Sequence, residues 1–208
     1  DATYLAQLVS SAPKMTHLSL ANCRVDNNFL GLFGSSFDGK KLLSLNIANN
    51  DRIFSLASLY NLIHCGLKSL NLSNCKRIQS TDIIYFLAHA ARSVTLKTLI
   101  MTNSTVTAEQ FIVFLLHCQL VWKFDGQKGI RHIDFSDNPV GARGHQYLAS
   151  VFANESLEHS FKYIKLRNCY GGPHWPKEIY KRALVDTNIK QLVVDRIVTE
   201  DSDATDED

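Results

Sequence analysis

The chain is short of the features that would carry it across a membrane, cross-link it or give it a familiar catalytic signature. No unbroken apolar run exceeds six residues, the length of Phe111–Leu116, whereas a membrane-spanning helix needs about 20. The opening residues Asp1 to Tyr4 show neither the basic start nor the apolar core of a secretory signal. Cysteine is sparse and odd in number, five residues with no C-x-x-C pair. That argues against a disulfide framework and for a reducing, cytoplasmic compartment. Four prolines and ten glycines in 208 residues exclude a low-complexity chain. The motifs G-x-S-x-G, H-E-x-x-H, Walker and the dinucleotide fingerprint are all missing, and Gly171-Gly172-Pro173 reads as a turn rather than a phosphate cradle. The expectation is therefore a chain with no catalytic set, no cofactor, no metal site and no small-molecule substrate.

Charge is balanced in number and uneven in place. There are 22 Lys and Arg against 20 Asp and Glu, but six of the acids (Glu200, Asp201, Asp203, Asp206, Glu207 and Asp208) fall in the last nine residues. Residues 1–199 thus hold 22 basic against 14 acidic side chains, a net charge of +8. Residues 200–208 cannot bury apolar surface and repel themselves, so they are expected to be a disordered acidic tail. A body of modest positive charge, without a basic cluster interleaved with aromatics, weighs against nucleic acid as the partner.

What the chain does have is repetition. Nine-residue segments fitting L-x-x-L-x-L-x-x-N/C begin at Met15, Leu42, Leu67, Ile130 and Phe161, one at Leu96 fits with Ser104 at the last position, and a seventh at Ile189 ends on Ile197 in place of Asn or Cys. The intervals are 27, 25, 29, 34, 31 and 28 residues. Within each segment apolar residues alternate, as in a half-buried strand. The ninth residue (Cys23, Asn50, Cys75, Ser104, Asn138 or Cys169) turns the chain inward, where an Asn can satisfy backbone groups leaving the ladder and a Cys can do so weakly. Between segments the apolar period becomes helical, over Phe29, Leu30, Leu32 and Phe33, over Ile83 to Ala90, and over Phe111 to Leu115. Further helices are expected near Gly144 to Phe152 and Glu178 to Val185, and a shorter one near Leu56 to Ile63. Ser80-Thr81-Asp82 is expected to precede one helix, and Thr107 with Gln110 forms a capping box for another.

These segments resemble the leucine-rich repeat family over residues 15 to about 198, in its large, ribonuclease-inhibitor-like form. The resemblance implies an α/β solenoid of about seven repeats across residues 1–199, with parallel strands on a concave face and helices on the convex one. Cys75-Lys76-Arg77-Ile78 followed by Ser80-Thr81-Asp82 is similar to the cysteine-containing repeats of ubiquitin-ligase substrate receptors. Looser similarity extends to Ran-activating repeat proteins and to cytoskeletal linkers that bind capping protein. The family implies noncatalytic protein–protein interaction, with GTPase activation or ubiquitin-ligase substrate reception as the alternative. The helical face of Tyr4, Leu5, Leu8 and Val9 fits equally a terminal cap or a piece of a longer array.

The cysteines follow the repeat phase. Cys23, Cys75 and Cys169 are expected to be buried and inert, so that a thiol reagent labels at most Cys65 and Cys118. The pairs His64-Cys65 and His117-Cys118 are read as structural, at helix ends, rather than as metal ligands. Positions three, five and seven of each segment should face the open side. There the early segments carry His17, Ser19, Ala21, Ser44, Asn46, Ala48, Ser69, Asn71 and Ser73, whereas later ones carry His132, Asp134, Ser136, Tyr163, Lys165 and Arg167. Arg131 and Lys162 lie beside them. Trp122 and Trp175 fall in segments read as irregular loops, Val121 to Phe124 and Tyr170 to Pro176. The candidate partner-binding set is Arg131, His132, Asp134, Lys162, Tyr163, Lys165, Arg167 and Trp175, suited to a protein partner with an acidic surface or peptide.

Overall fold

The computed structural model describes residues 3–4, 7, 11–12, 14–36, 42–64, 66–125, 129–152, 161–169 and 191–194. Seven short strands pair in parallel in chain order: β1 His17–Ser19, β2 Ser44–Asn46, β3 Ser69–Asn71, β4 Thr98–Ile100, β5 His132–Asp134, β6 Tyr163–Leu166 and β7 Gln191–Val194. Parallel neighbours need a crossover, and the described ones contain α1 Asn27–Ser36, a 3₁₀ turn at Ala57–Leu59 running into α2 Tyr60–His64, α3 Ser80–Arg92, α4 Ala108–Asp125 and α5 Gly141–Phe152. The result is an α/β architecture with an all-parallel sheet, compatible with a solenoid. Register pairs equal positions of the nine-residue segments, so His17, Ser44, Ser69, Thr98, His132, Tyr163 and Gln191 form one row across the sheet.

The apolar template positions supply the core. Leu42, Leu45 and Ile47 are buried, as are their counterparts Leu67, Leu70, Leu72, Leu96, Leu99, Met101, Ile130, Ile133, Phe135, Phe161, Ile164 and Leu166. Phe29, Leu30 and Phe33 of α1, Ile83, Phe86 and Leu87 of α3, and Phe111, Phe114 and Leu115 of α4 pack with them. Each such side chain stabilises the fold by roughly 1.5–3 kcal/mol through burial. Leu32, expected on the same face of α1, is instead exposed.

Strands β1 to β6 each end in a turn built by the eighth and ninth positions. Asn22, Asn49, Asn74, Asn103, Asp137 and Asn168, all at position eight, have φ between 50° and 61°. Asn and Asp are the non-glycine residues that tolerate this left-handed conformation best. The next residue points inward and holds the preceding segment. Asn50 Nδ2 donates to Leu20 O at 3.0 Å, Cys75 Sγ to Ile47 O at 3.4 Å, Ser104 Oγ to Leu72 O at 2.9 Å, Asn138 Nδ2 to Met101 O at 2.7 Å and Cys169 Sγ to Phe135 O at 3.2 Å. The asparagines also accept. Asn50 Oδ1 takes the N–H groups of Cys23 and Val25, and Asn138 Oδ1 those of Ser104 and Val106.

Four expectations need correction. Cys23 is exposed, because no strand precedes β1 among the described residues to give its sulfur an inner partner; it donates only to Ala21 O at 3.3 Å. Cys118 is not at a helix end but buried inside α4, where desolvation holds its thiol pKa well above the ordinary range. Val121 to Phe124, with Trp122, is not a loop but the last turn of α4, whose 18 residues take up the longest interval. Ser80-Thr81-Asp82 forms the first turn of α3, with Gln79 at the cap. The Thr107–Gln110 capping box forms: Thr107 N–H donates to Gln110 Oε1 at 2.8 Å and Gln110 N–H to Thr107 Oγ1 at 3.4 Å. Cys65, the helix expected near Glu178 to Val185, the Tyr170 to Pro176 segment with Trp175, and the acidic stretch 200–208 lie outside the described residues.

Candidate functional site

The helices cover one face of the sheet, and the other is open. On it, over β4, β5 and β6, lies a pocket of about 300 Å³ lined by Thr98 and Ile100, His132 and Asp134, and Tyr163 and Lys165. The construction is simple. Positions three and five of a strand flank a buried fourth residue, so both project to the open side, and parallel register sets the three pairs abreast.

Within the pocket the rings of His132 and Tyr163 meet edge to face, with centroids 4.4 Å apart at 78°. That arrangement suits the aromatic quadrupole and fixes both side chains. Burial, with Lys162 and Arg131 nearby, lowers the His132 pKa and so favours the neutral imidazole. Asp134 and Lys165 are register partners but form no ion pair. One Asp134 oxygen is already engaged, accepting the Ser136 N–H at 3.1 Å, as Asn46 and Asn71 do for Ala48 and Ser73. The other oxygen and the Lys165 ammonium remain for a ligand.

The remaining sequence-predicted residues frame the pocket or fall away from it. Arg131 and Lys162 are half-buried just before β5 and β6. Arg131 Nε is buried with no hydrogen-bond partner. Arg167 is exposed beyond the end of β6, where its N–H donates to Ser136 Oγ at 3.1 Å. Ala48, Ser73 and Ser136, expected on the open face, are instead buried, and Ser73 Oγ accepts the Thr102 N–H at 3.3 Å. Trp175 is not among the described residues. Thr98 and Ile100 were missed by sequence reasoning, although they occupy the same template positions as His132 and Asp134. Reading the row one strand further would have found them.

The pocket combines the apolar Ile100 and Ile133 with a phenol, an imidazole, a carboxylate and an ammonium. That mixture suits recognition of a side chain or a short peptide stretch. No group of three His, Cys, Asp or Glu placed to hold a metal ion occurs among the described residues, and no helix among them is long and apolar enough to cross a membrane. No family model and no curated protein matches the chain.

Proposed function

We propose that the chain is a leucine-rich-repeat solenoid acting as a noncatalytic protein-interaction module, which binds a protein partner through the open, concave face over β4 to β6. The observation that carries this reading is the pocket where Tyr163 stands against His132, lined also by Ile100, Asp134 and Lys165. A tyrosine held rigid by its neighbour gives large contact area and a directed hydroxyl at little entropic cost, the properties of a binding anchor. Lys162, Lys165 and Arg167 favour an acidic partner, and Asp134 disfavours wrong alignments by repulsion. A reducing cytoplasm fits a surface that carries the free thiol of Cys23.

The test is capture of partners by the full chain, followed by affinity measurement with single variants. Tyr163→Ala is expected to weaken binding by about 2 kcal/mol, roughly 30-fold. Lys165→Ala and Arg167→Ala should each cost less than about 1 kcal/mol, acting on the association rate and its salt dependence. Tyr85, 63% exposed on α3, is the control on the helical side. Loss of binding in Tyr85→Ala with normal binding in Tyr163→Ala would place the site on the wrong face.

A further inference from the structure

The second template position, just before each strand, is Lys68, Lys97, Arg131 and Lys162 in four consecutive segments. The backbone stacks them: Lys97 N–H donates to Lys68 O, Arg131 N–H to Lys97 O and Lys162 N–H to Arg131 O, at 2.8, 2.9 and 2.7 Å. The backbones of four basic residues therefore stand in one row across the entry edge of the sheet, at about 4.8 Å per strand, some 14 Å in all. Two of them border the pocket. Like charges so close repel one another unless an anion lies among them, by an amount that grows as water is excluded. Among the described residues none of Lys68, Arg131 and Lys162 makes an ion pair. Lys97 is tied by its ammonium to Val94 O and Gly129 O at 2.6 and 3.4 Å, which fixes its charge in the middle of the row. Burial and the neighbouring Arg131 lower its pKa.

Resting on the interaction reading above, we infer that this row is a docking rail for an extended acidic segment of a protein partner. The segment lies across the strands with its carboxylates over Lys68, Lys97, Arg131 and Lys162, and delivers one aromatic side chain into the Tyr163 pocket. An extended chain advances about 3.4 Å per residue, so a run of four or five Asp or Glu covers the row. Crossing the strands, the segment cannot add to the β-ladder, so charge and the single anchor supply the affinity. A nucleic acid strand fits less well. The row carries no aromatic platform for successive bases, and the Tyr163 ring is already engaged by His132.

The experiment measures fluorescence anisotropy of two labelled probes with the full chain, octaglutamate and a nonapeptide of eight glutamates around one tryptophan. Octaglutamate is expected to bind at about 25 mM salt and to weaken more than tenfold at about 250 mM. Lys68→Glu and Lys162→Glu should each weaken it about fivefold or more, while Tyr163→Ala leaves it unchanged. The tryptophan peptide should bind tighter than octaglutamate, an advantage that Tyr163→Ala removes. Lys68 is exposed and makes no ion pair among the described residues, so its reversal is expected to leave the melting temperature unchanged. Absence of octaglutamate binding at low salt, or indifference to both charge reversals, overturns the rail even if the tryptophan peptide still binds through Tyr163. Row-dependent octaglutamate binding with no tryptophan advantage keeps the rail and overturns the pocket. An eight-nucleotide oligothymidylate that binds tighter than octaglutamate, with the same dependence on Lys68, overturns the peptide assignment.

Discussion

Strands β1 to β3 and strands β5 to β6 share one backbone plan and present different chemistry. On the inner side the two regions share one device. Asn50, behind β2, and Asn138, behind β5, each accept two N–H groups and donate to three carbonyls, at corresponding positions. On the open side β1 to β3 offer Ser19, Ser44, Asn46, Ser69 and Asn71 beside a lone His17, whereas β5 and β6 offer His132, Asp134, Tyr163 and Lys165. The difference separates two demands. Positions that hold one segment to the next are constrained by buried backbone groups that must find partners. Positions facing solvent are free of that demand, and there only one region has accumulated large, directed side chains.

The largest expected effect tests the sameness of the inner side. Asn50→Ala and Asn138→Ala each strip partners from buried backbone groups, so each should cost about 3–5 kcal/mol in chemical denaturation. A loss at Asn138 several times that at Asn50 would break the equivalence of the two regions. Next is a property that only the later region has. His145 of α5 is buried, and desolvation lowers its pKa from 6.5 to about 4. Its neutral form is the one the fold accommodates, while the unfolded chain takes up a proton below about 6.5. Its contribution is therefore fully present above that pH and is lost as pH falls toward 4, about 3 kcal/mol in all. Denaturation midpoints against pH should show this slope and should flatten in His145→Leu.

A smaller effect concerns the sulfur-bearing turns. Cys75 and Cys169 are buried, and burial raises the Cys75 thiol pKa against the opposing hydrogen bond from the Asn50 N–H. Replacing either by Ala should cost about 1–2 kcal/mol. Cys23→Ala should cost under about 0.5 kcal/mol, as an exposed position does, and a thiol reagent should label Cys23 first among Cys23, Cys75, Cys118 and Cys169. The smallest effect is a gain. Asn74 Nδ2 donates to Asn49 Oδ1 and Asn103 Nδ2 to Asn74 Oδ1, both at 2.7 Å, and Asn168 Nδ2 donates to Asp137 Oδ1 at 2.8 Å. This side-chain ladder is interrupted at Asp137, whose carboxylate has no N–H to give Asn103. Asp137→Asn should close the gap and stabilise the chain by about 0.5 kcal/mol in thermal unfolding.

Much of this plan was legible in the residues, and the failures have a common cause. The alternation of Leu70 with Leu72 and the phase of Cys75 locate a strand and its inward turn, because both depend on neighbours within one segment. The pairing of His132 with Tyr163 follows from template position alone. The exposure of Cys23 was not legible, since burial of a ninth residue depends on a strand from the segment before it. Trp122 departs from expectation because a long interval reads as a loop, whereas five more helical residues satisfy the backbone equally well. The left-handed Asn at position eight was visible at Asn22, Asn49, Asn74, Asn103 and Asn168 and went unread, although a turn-tolerant residue at constant phase is a strong signal.

The central claim is that the open face over β4 to β6, and not that over β1 to β3, receives the partner. The most direct measurement is amide chemical-shift mapping on the isotope-labelled full chain as the tryptophan-centred glutamate peptide is added. The account predicts shifts concentrated at Thr98, Ile100, His132, Asp134, Tyr163 and Lys165, with a fringe at Lys68 and Lys97. Shifts gathered instead at Ser19, Asn46 and Asn71, or along the exposed side of α3 and α4 at Tyr85 and Leu116, would contradict it.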